Sequence, residues 1–181
     1  MNFNTVVEQS NILYLRFHET ILKFNDLWYN HILFTWRWWL SVFLIVLPWI
    51  IWHFYRNKES SDRLLSAGLF VIIISSFLNI TGISMNLWGN PVRPLPIVLP
   101  YDASALPVAT MLTIQFFPKV NPLIKSILFS AFVSFILMPI GSSFSLYINI
   151  AWKDYYSFPI FIVIYLLANR IASVNEFIKN N

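Results

Sequence analysis

The chain contains no cysteine. That removes disulfides, thiolate metal ligands and a cysteine nucleophile from consideration. Glycine is scarce as well, with four in 181 residues. None of the four builds a phosphate-cradling GxxxxGKS/T loop, and no serine sits in GxSxG, so nucleotide-driven or serine-hydrolase chemistry is not expected. Histidine is limited to His18, His31 and His53. They lie far apart and form no HxxxH or HExxH pair, so no zinc site and no cofactor are expected. Charge is the widest deficit. Asp, Glu, Lys and Arg make up 11% of the chain, against about 25% in a soluble domain.

What replaces the charge is apolar side chain, 57% of all residues, giving a mean hydropathy of +0.63. A water-soluble fold of this size leaves too much surface exposed to hide that much. The few charges fall outside long runs. None occurs in 38–55, 64–92 or 126–152, and a spanning helix needs about 20 mostly apolar residues. The expected fold is all-α: a polytopic transmembrane helical bundle of about five spans behind an N-terminal amphipathic helix. The net charge of +4 is too dispersed to argue for nucleic acid. The expected partners are the lipid bilayer and another membrane protein or a second copy.

Residues 1–35 carry Glu8, Arg16, Glu19, Lys23 and Asp26 at helical spacing. That pattern reads as a helix lying in the membrane interface or capping the bundle. The bundle itself is expected over 36–181, with spans at 36–55, 64–88, 102–117, 122–147 and 155–170. Trp36, Trp38 and Trp39 mark one end of the first span, and Trp49, Trp52 and Tyr55 the other, as headgroup anchors. Pro48 should kink it. In the second span Ser75, Asn79, Gly82 and Asn86 share one face, a packing face for small residues and amides. Residues 89–100, dense in proline, cannot form a regular helix. The third span is about 24 Å long, short for a bilayer core of about 30 Å, and is read as a kinked span or the arm of a re-entrant hairpin. Ser126, Ser130 and Ser134 make a small-residue stripe on the fourth. No internal repeat is expected from the sequence pattern. Arg56, Lys58 and Arg63, clustered in the first short loop, put that loop in the cytoplasm, the N-terminus outside and the C-terminus inside.

Asp102 is the one acidic residue embedded in a long apolar stretch. It reads either as an N-cap for the helix that follows or as a proton or cation site with Gln115 or Asn79 as polar neighbour. Trp88, the proline-rich loop, Leu99-Pro100-Tyr101-Asp102, Leu106-Pro107-Val108, Met111, Gln115 and a closing Pro118 together resemble an uncharacterised family of small multi-pass membrane proteins of Bacillus-like and Clostridium-like spore-forming bacteria. That resemblance implies a Gram-positive plasma membrane and carries no activity with it. The residues themselves point first to a non-enzymatic accessory or sensory membrane component. The alternatives are a small proton- or cation-linked transporter using Asp102, and an intramembrane enzyme acting on lipid or isoprenoid.

Overall fold

The structure, a computed structural model, describes residues 2–95 and 101–179. Pro96 and Pro100 of the proline-rich loop lie outside the described residues. Seven helices and two short strands follow in order: α1 (Phe3–His31), α2 (Trp36–Tyr55), α3 (Ser61–Ser84), β1 (Trp88–Gly89), α4 (Leu106–Phe116), α5 (Pro122–Phe132), α6 (Met138–Ser143), β2 (Ile148–Asn149) and α7 (Ser157–Lys179). A π-helical turn, Tyr101–Ala105, leads into α4, and another, Val133–Leu137, joins α5 to α6.

Four helical stretches are long and apolar enough to cross a membrane: Trp36–Tyr55, Lys58–Ser84, Pro122–Ser143 and Asp154–Ser173. The expected fifth, 102–117, is not one of them. Its regular part is the 11 residues of α4, about 16 Å at 1.5 Å per residue. The second span ends at Ser84 rather than 88, and the fourth at Ser143 rather than 147. Both stop early for one reason. Asn86 and Ser145 adopt positive φ of 56° and 59°. Leu87 N then bonds Gly82 O at 2.9 Å, and Leu146 N bonds Gly141 O at 3.0 Å. Asn86 N and Ser145 N reach Ile83 O and Ser142 O. These are two Schellman terminators, each satisfying carbonyls that the helix end leaves open.

The terminators expose a repeat that the sequence reading missed. Gly82, Ser84, Leu87 and Asn90 recur as Gly141, Ser143, Leu146 and Asn149 at one constant spacing, with Trp88 matched by Tyr147. Upstream, Leu69, Phe70, Ser75 and Leu78 recur as Leu128, Phe129, Ser134 and Leu137. The strands that leave the two terminators pair with each other, antiparallel, and Gly89 sits opposite its own counterpart Ile148. A local two-fold axis therefore passes through that pair.

The core lies between α3, α4 and α7, with Leu64, Ala67 and Val71 against Val108, Met111 and Ile114, and Ile164, Tyr165 and Ala168 closing it. A Cβ on Gly68 would stand 2.6 Å from Met111 Sδ, so its glycine permits the close α3–α4 approach. α5 packs on α7. Ser126, Ser130 and Ser134 are fully buried, and the ring of Phe129 of α5 meets that of Tyr165 at 5.2 Å, tilted by 43°. By contrast α1 is exposed along most of its length. It is fastened near its C-terminal end, where buried Trp28 donates through Nε1 to Arg93 O at 2.8 Å and the Arg93 guanidinium lies 4.7 Å above the Phe24 ring.

Full burial of Ser130 makes a direct test. Ser130→Leu is expected to cost ~1–3 kcal/mol of stability through overpacking, read as a lowered unfolding midpoint of the purified protein in detergent. An unchanged midpoint would place this face against lipid.

Candidate functional site

The polar face of α3 meets the segment between β1 and α4. Asn79 is the centre. Trp88 Nε1 donates to Asn79 Oδ1 at 2.8 Å, and Asn90 Nδ2 donates to the same oxygen at 3.2 Å. An indole nitrogen can only donate, so it fixes which end of the Asn79 amide faces it. The Asn79 amino group is left pointing the other way, and it donates to Asp102 Oδ2. Ser75 is buried one turn below. Its hydroxyl bonds Val71 O at 2.6 Å and approaches Asp102 O at 3.4 Å. Gly82 lies one turn above. Its role is to hold the Trp88 ring rather than to bring another helix close: a Cβ there would overlap the ring, 2.0 Å from Cζ2.

Asp102 does not cap α4. The residue before that helix is Ala105, in helical conformation and without a side-chain cap bond. Asp102 instead sits in the π-helical turn, 9% exposed, with Asn79 as its partner. Gln115 is not its neighbour. It lies at the far end of α4, donating to Tyr55 O at 2.7 Å and accepting from Asn57 N at 2.9 Å. Asn86 terminates α3 and is exposed.

What holds the irregular segment against the bundle is a set of side-chain donors. Trp38 Nε1 donates to Pro94 O at 2.9 Å, Trp49 Nε1 to Ala103 O at 3.1 Å, and Ser104 Oγ to Ile45 O at 2.5 Å. Trp38 and Trp49 are thus structural donors rather than headgroup anchors, while Trp36 and Trp39, each more than half exposed, keep the anchor geometry. Pro48 in α2 loosens the carbonyls of the turn before it, and Ile45 O, in that turn, takes the Ser104 bond. Trp49 stands about 20 Å along α2 from Trp36 at 1.5 Å per residue. Asp102, next to the Trp49 partner, is therefore well inside the span's depth. Pro94 is bonded at the Trp38 end of α2 and Gln115 at its Tyr55 end.

Asp102, Asn79 and Asn90 line a cavity of about 350 Å³. Its walls are otherwise mostly apolar, and both π-helical turns contribute to them through Asp102 and Ala105 on one side and Val133 and Leu137 on the other. Trp88, Tyr147 and Trp152 supply aromatic rings. Trp88 and Trp152 meet edge-on at 5.2 Å. Asp102 Oδ1 takes no hydrogen bond from the described residues, leaving one carboxyl oxygen for a ligand. No group of three or more His, Cys, Asp or Glu gathers among the described residues. Sequence reasoning singled out Asp102 and Asn79 but missed Trp88 and Asn90. The signal that could have found them is the repeat, since Trp88 and Asn90 are its most distinctive positions.

No family model matches the chain, and comparison with curated proteins and with solved structures finds no match.

Asn79 serves three side chains at once, whereas Asn90 serves Asn79. Asn79→Ala is accordingly expected to lose ~1–3 kcal/mol, the usual cost of stranding buried polar groups, and Asn90→Ala distinctly less. Chemical unfolding of the two variants in one detergent checks the order. Equal losses would mean that Asn79 is not the hub.

Proposed function

We propose that this is a non-enzymatic, multi-pass membrane protein that binds a small organic solute in the cavity and acts as an accessory or sensory component of its membrane. The observation that carries this is Asp102: one carboxyl oxygen, held by Asn79 on its other side, in the lining of an otherwise mostly apolar space. Concave, largely apolar sites with a few convergent polar groups are how proteins hold small ligands. The partner of the carboxyl supports a binding role over catalysis. An amide backed by an indole orients Asp102 but relays no proton, and acid–base chemistry needs a second positioned group.

A second reading, a proton- or cation-linked transporter, is favoured by one specific observation. Helical breaks flank the cavity on both sides, and discontinuous helices are a common way to build transport sites.

For the setting, we propose the plasma membrane of a Gram-positive bacterium, in line with the family resemblance, which covers roughly residues 36–170. Arg56, Lys58 and Arg63 lie at the Tyr55 end of the bundle, which supports a cytoplasmic side there, an external N-terminus and a cytoplasmic C-terminus. The chain has no cysteine, so single reporters are easily introduced. Lys58→Cys is expected to label with a membrane-impermeant maleimide only after cells are opened, and the exposed Met85→Cys in intact cells. The reverse pattern would invert the orientation.

The solute reading has its own test. Ala109 lines the cavity, and Ala109→Phe should fill it without touching Asp102. A panel of n-hexanol, toluene, hexanoate and tetraethylammonium is expected to contain at least one compound that raises the unfolding temperature of the wild type in nanodiscs but not of Ala109→Phe. A ligand at a hundred times its Kd contributes about 2.7 kcal/mol, easily resolved. No shift with any of the four would sink the reading.

A further inference from the structure

We propose that the cavity is a carrier site for an organic ammonium ion, set between two pseudo-symmetric units that rock against each other. This rests on the solute-binding reading above and adds to it the cargo and the movement.

The first support is symmetry. One unit is α3, β1, the turn 101–105 and α4. The other is α5, its π-helical turn, α6, β2 and α7. Equivalent contacts recur within them: α4 packs on α3 as α7 packs on α5. Their first helices end in the same terminator, and their strands pair about the local two-fold at Gly89 and Ile148. The cavity straddles that axis, since Gly82 and Gly141 both line it, as do Asn90 and Asn149. Between the units α3 packs directly on α7, whereas α4 and the α5–α6 passage both line the cavity. Both first helices run from the Tyr55 end of the bundle toward the strand pair, so the repeat is parallel, with its axis along the bundle. Parallel repeats with a site at their interface, built where helices break, are an architecture that moves by rocking one repeat on the other.

The second support is the difference between the halves. Asn79 and Asp102 in one unit are matched by Met138 and Phe161 at the equivalent positions of the other, and all four line the cavity. The carboxyl thus comes from one unit alone, and the matching positions of the other are apolar. Trp88, Tyr147 and Trp152 add π faces, which attract cations. A metal ion is a poor fit, because hard cations take about six or more oxygen ligands and one free carboxyl oxygen is present. A proton alone needs no room, yet about 350 Å³ is provided. An anion is repelled by Asp102. What matches is a single positive charge carried on carbon groups.

Tetraethylammonium serves as the probe, because its fixed charge keeps it from crossing bilayers unaided. The full chain is reconstituted in liposomes with an inside-negative potassium diffusion potential, and labelled probe uptake is followed beside binding in nanodiscs. Wild-type protein is expected to bind and take up the probe. Asp102→Asn keeps an oxygen for the Asn79 amino group, so it should fold as the wild type does while uptake falls more than about tenfold, the value of one lost charge contact of about 1.4 kcal/mol. The pair Gly89→Cys and Ile148→Cys, neither of which lines the cavity, tests the movement. Cross-strand partners stand about 5.5 Å apart, within disulfide reach. Oxidation should stop uptake and leave binding intact, and reduction should restore uptake. Uptake that persists in the oxidised pair overturns the rocking. Binding by wild type without uptake overturns the carrier and leaves the solute site standing. Failure to bind tetraethylammonium, with n-hexanol still stabilising the protein, overturns the ammonium assignment alone. Binding unaffected by Asp102→Asn overturns it as well. Failure of every probe removes the solute site itself.

Discussion

The structure depends on finding hydrogen-bond donors for a chain that cannot be helical. Pro91 and Pro94 rule out a regular helix after β1, and Ala103 and Ser104, in the π-helical turn before α4, lie beside α2 at a depth where water is scarce. Backbone groups left open in such a place cost several kcal/mol each. The solution is to bring donors from outside the segment. Indoles at 28, 38 and 49 reach the carbonyls of Arg93, Pro94 and Ala103, and Ser104 returns a bond to α2. Everything else at the site follows, because a segment fixed in this way holds Asp102 against Asn79 at one depth and one angle.

The same economy explains the distribution of tryptophan. An indole offers a large apolar body and one donor, which suits it to an apolar interior with a few unsatisfied carbonyls. Trp88 uses its donor to orient Asn79, and Trp152 gives its own to Ser157 Oγ at 2.9 Å. Trp36 and Trp39 are the ones that remain outside. Eight tryptophans in a chain of this size are therefore two populations, one internal and one at the surface, and composition does not separate them.

That division marks where the sequence was legible. The uncharged runs located α2, α3 and the α5–α6 passage, because in lipid the absence of charge over about 20 residues is close to sufficient for a helix. Asn79 and Ser75 were recognisable as an inward face from their spacing on α3. The ends were less legible. Asn86 is a good left-handed terminator, but an apolar Leu87-Trp88 after it reads as more helix. Asp102 looked like a cap because a polar residue before an apolar stretch usually is one. Only the fold shows that its carboxyl is taken by Asn79. Gln115 was separable by spacing, since 13 residues of helix carry it about 20 Å from Asp102, and it lies at the far end of α4. The repeat escaped because its identities are spread thinly and its halves diverge most at the cavity.

The strand pair about Gly89 and Ile148 bears on the charge of the site. Two like halves about a two-fold axis can be set beside a strictly symmetric homodimer of one such half. In that homodimer an acid at the Asp102 position would come with its twin in the same space. Two carboxylates sharing a small, weakly screened volume repel strongly, and one must take up a proton. Joining the halves into one chain removes the obligation. One half carries the acid while the other carries Phe161 at the equivalent position, and a site that strict symmetry would make doubly acidic holds a single carboxyl. The price of fusion is a longer chain; the return is a ligand site whose two halves differ.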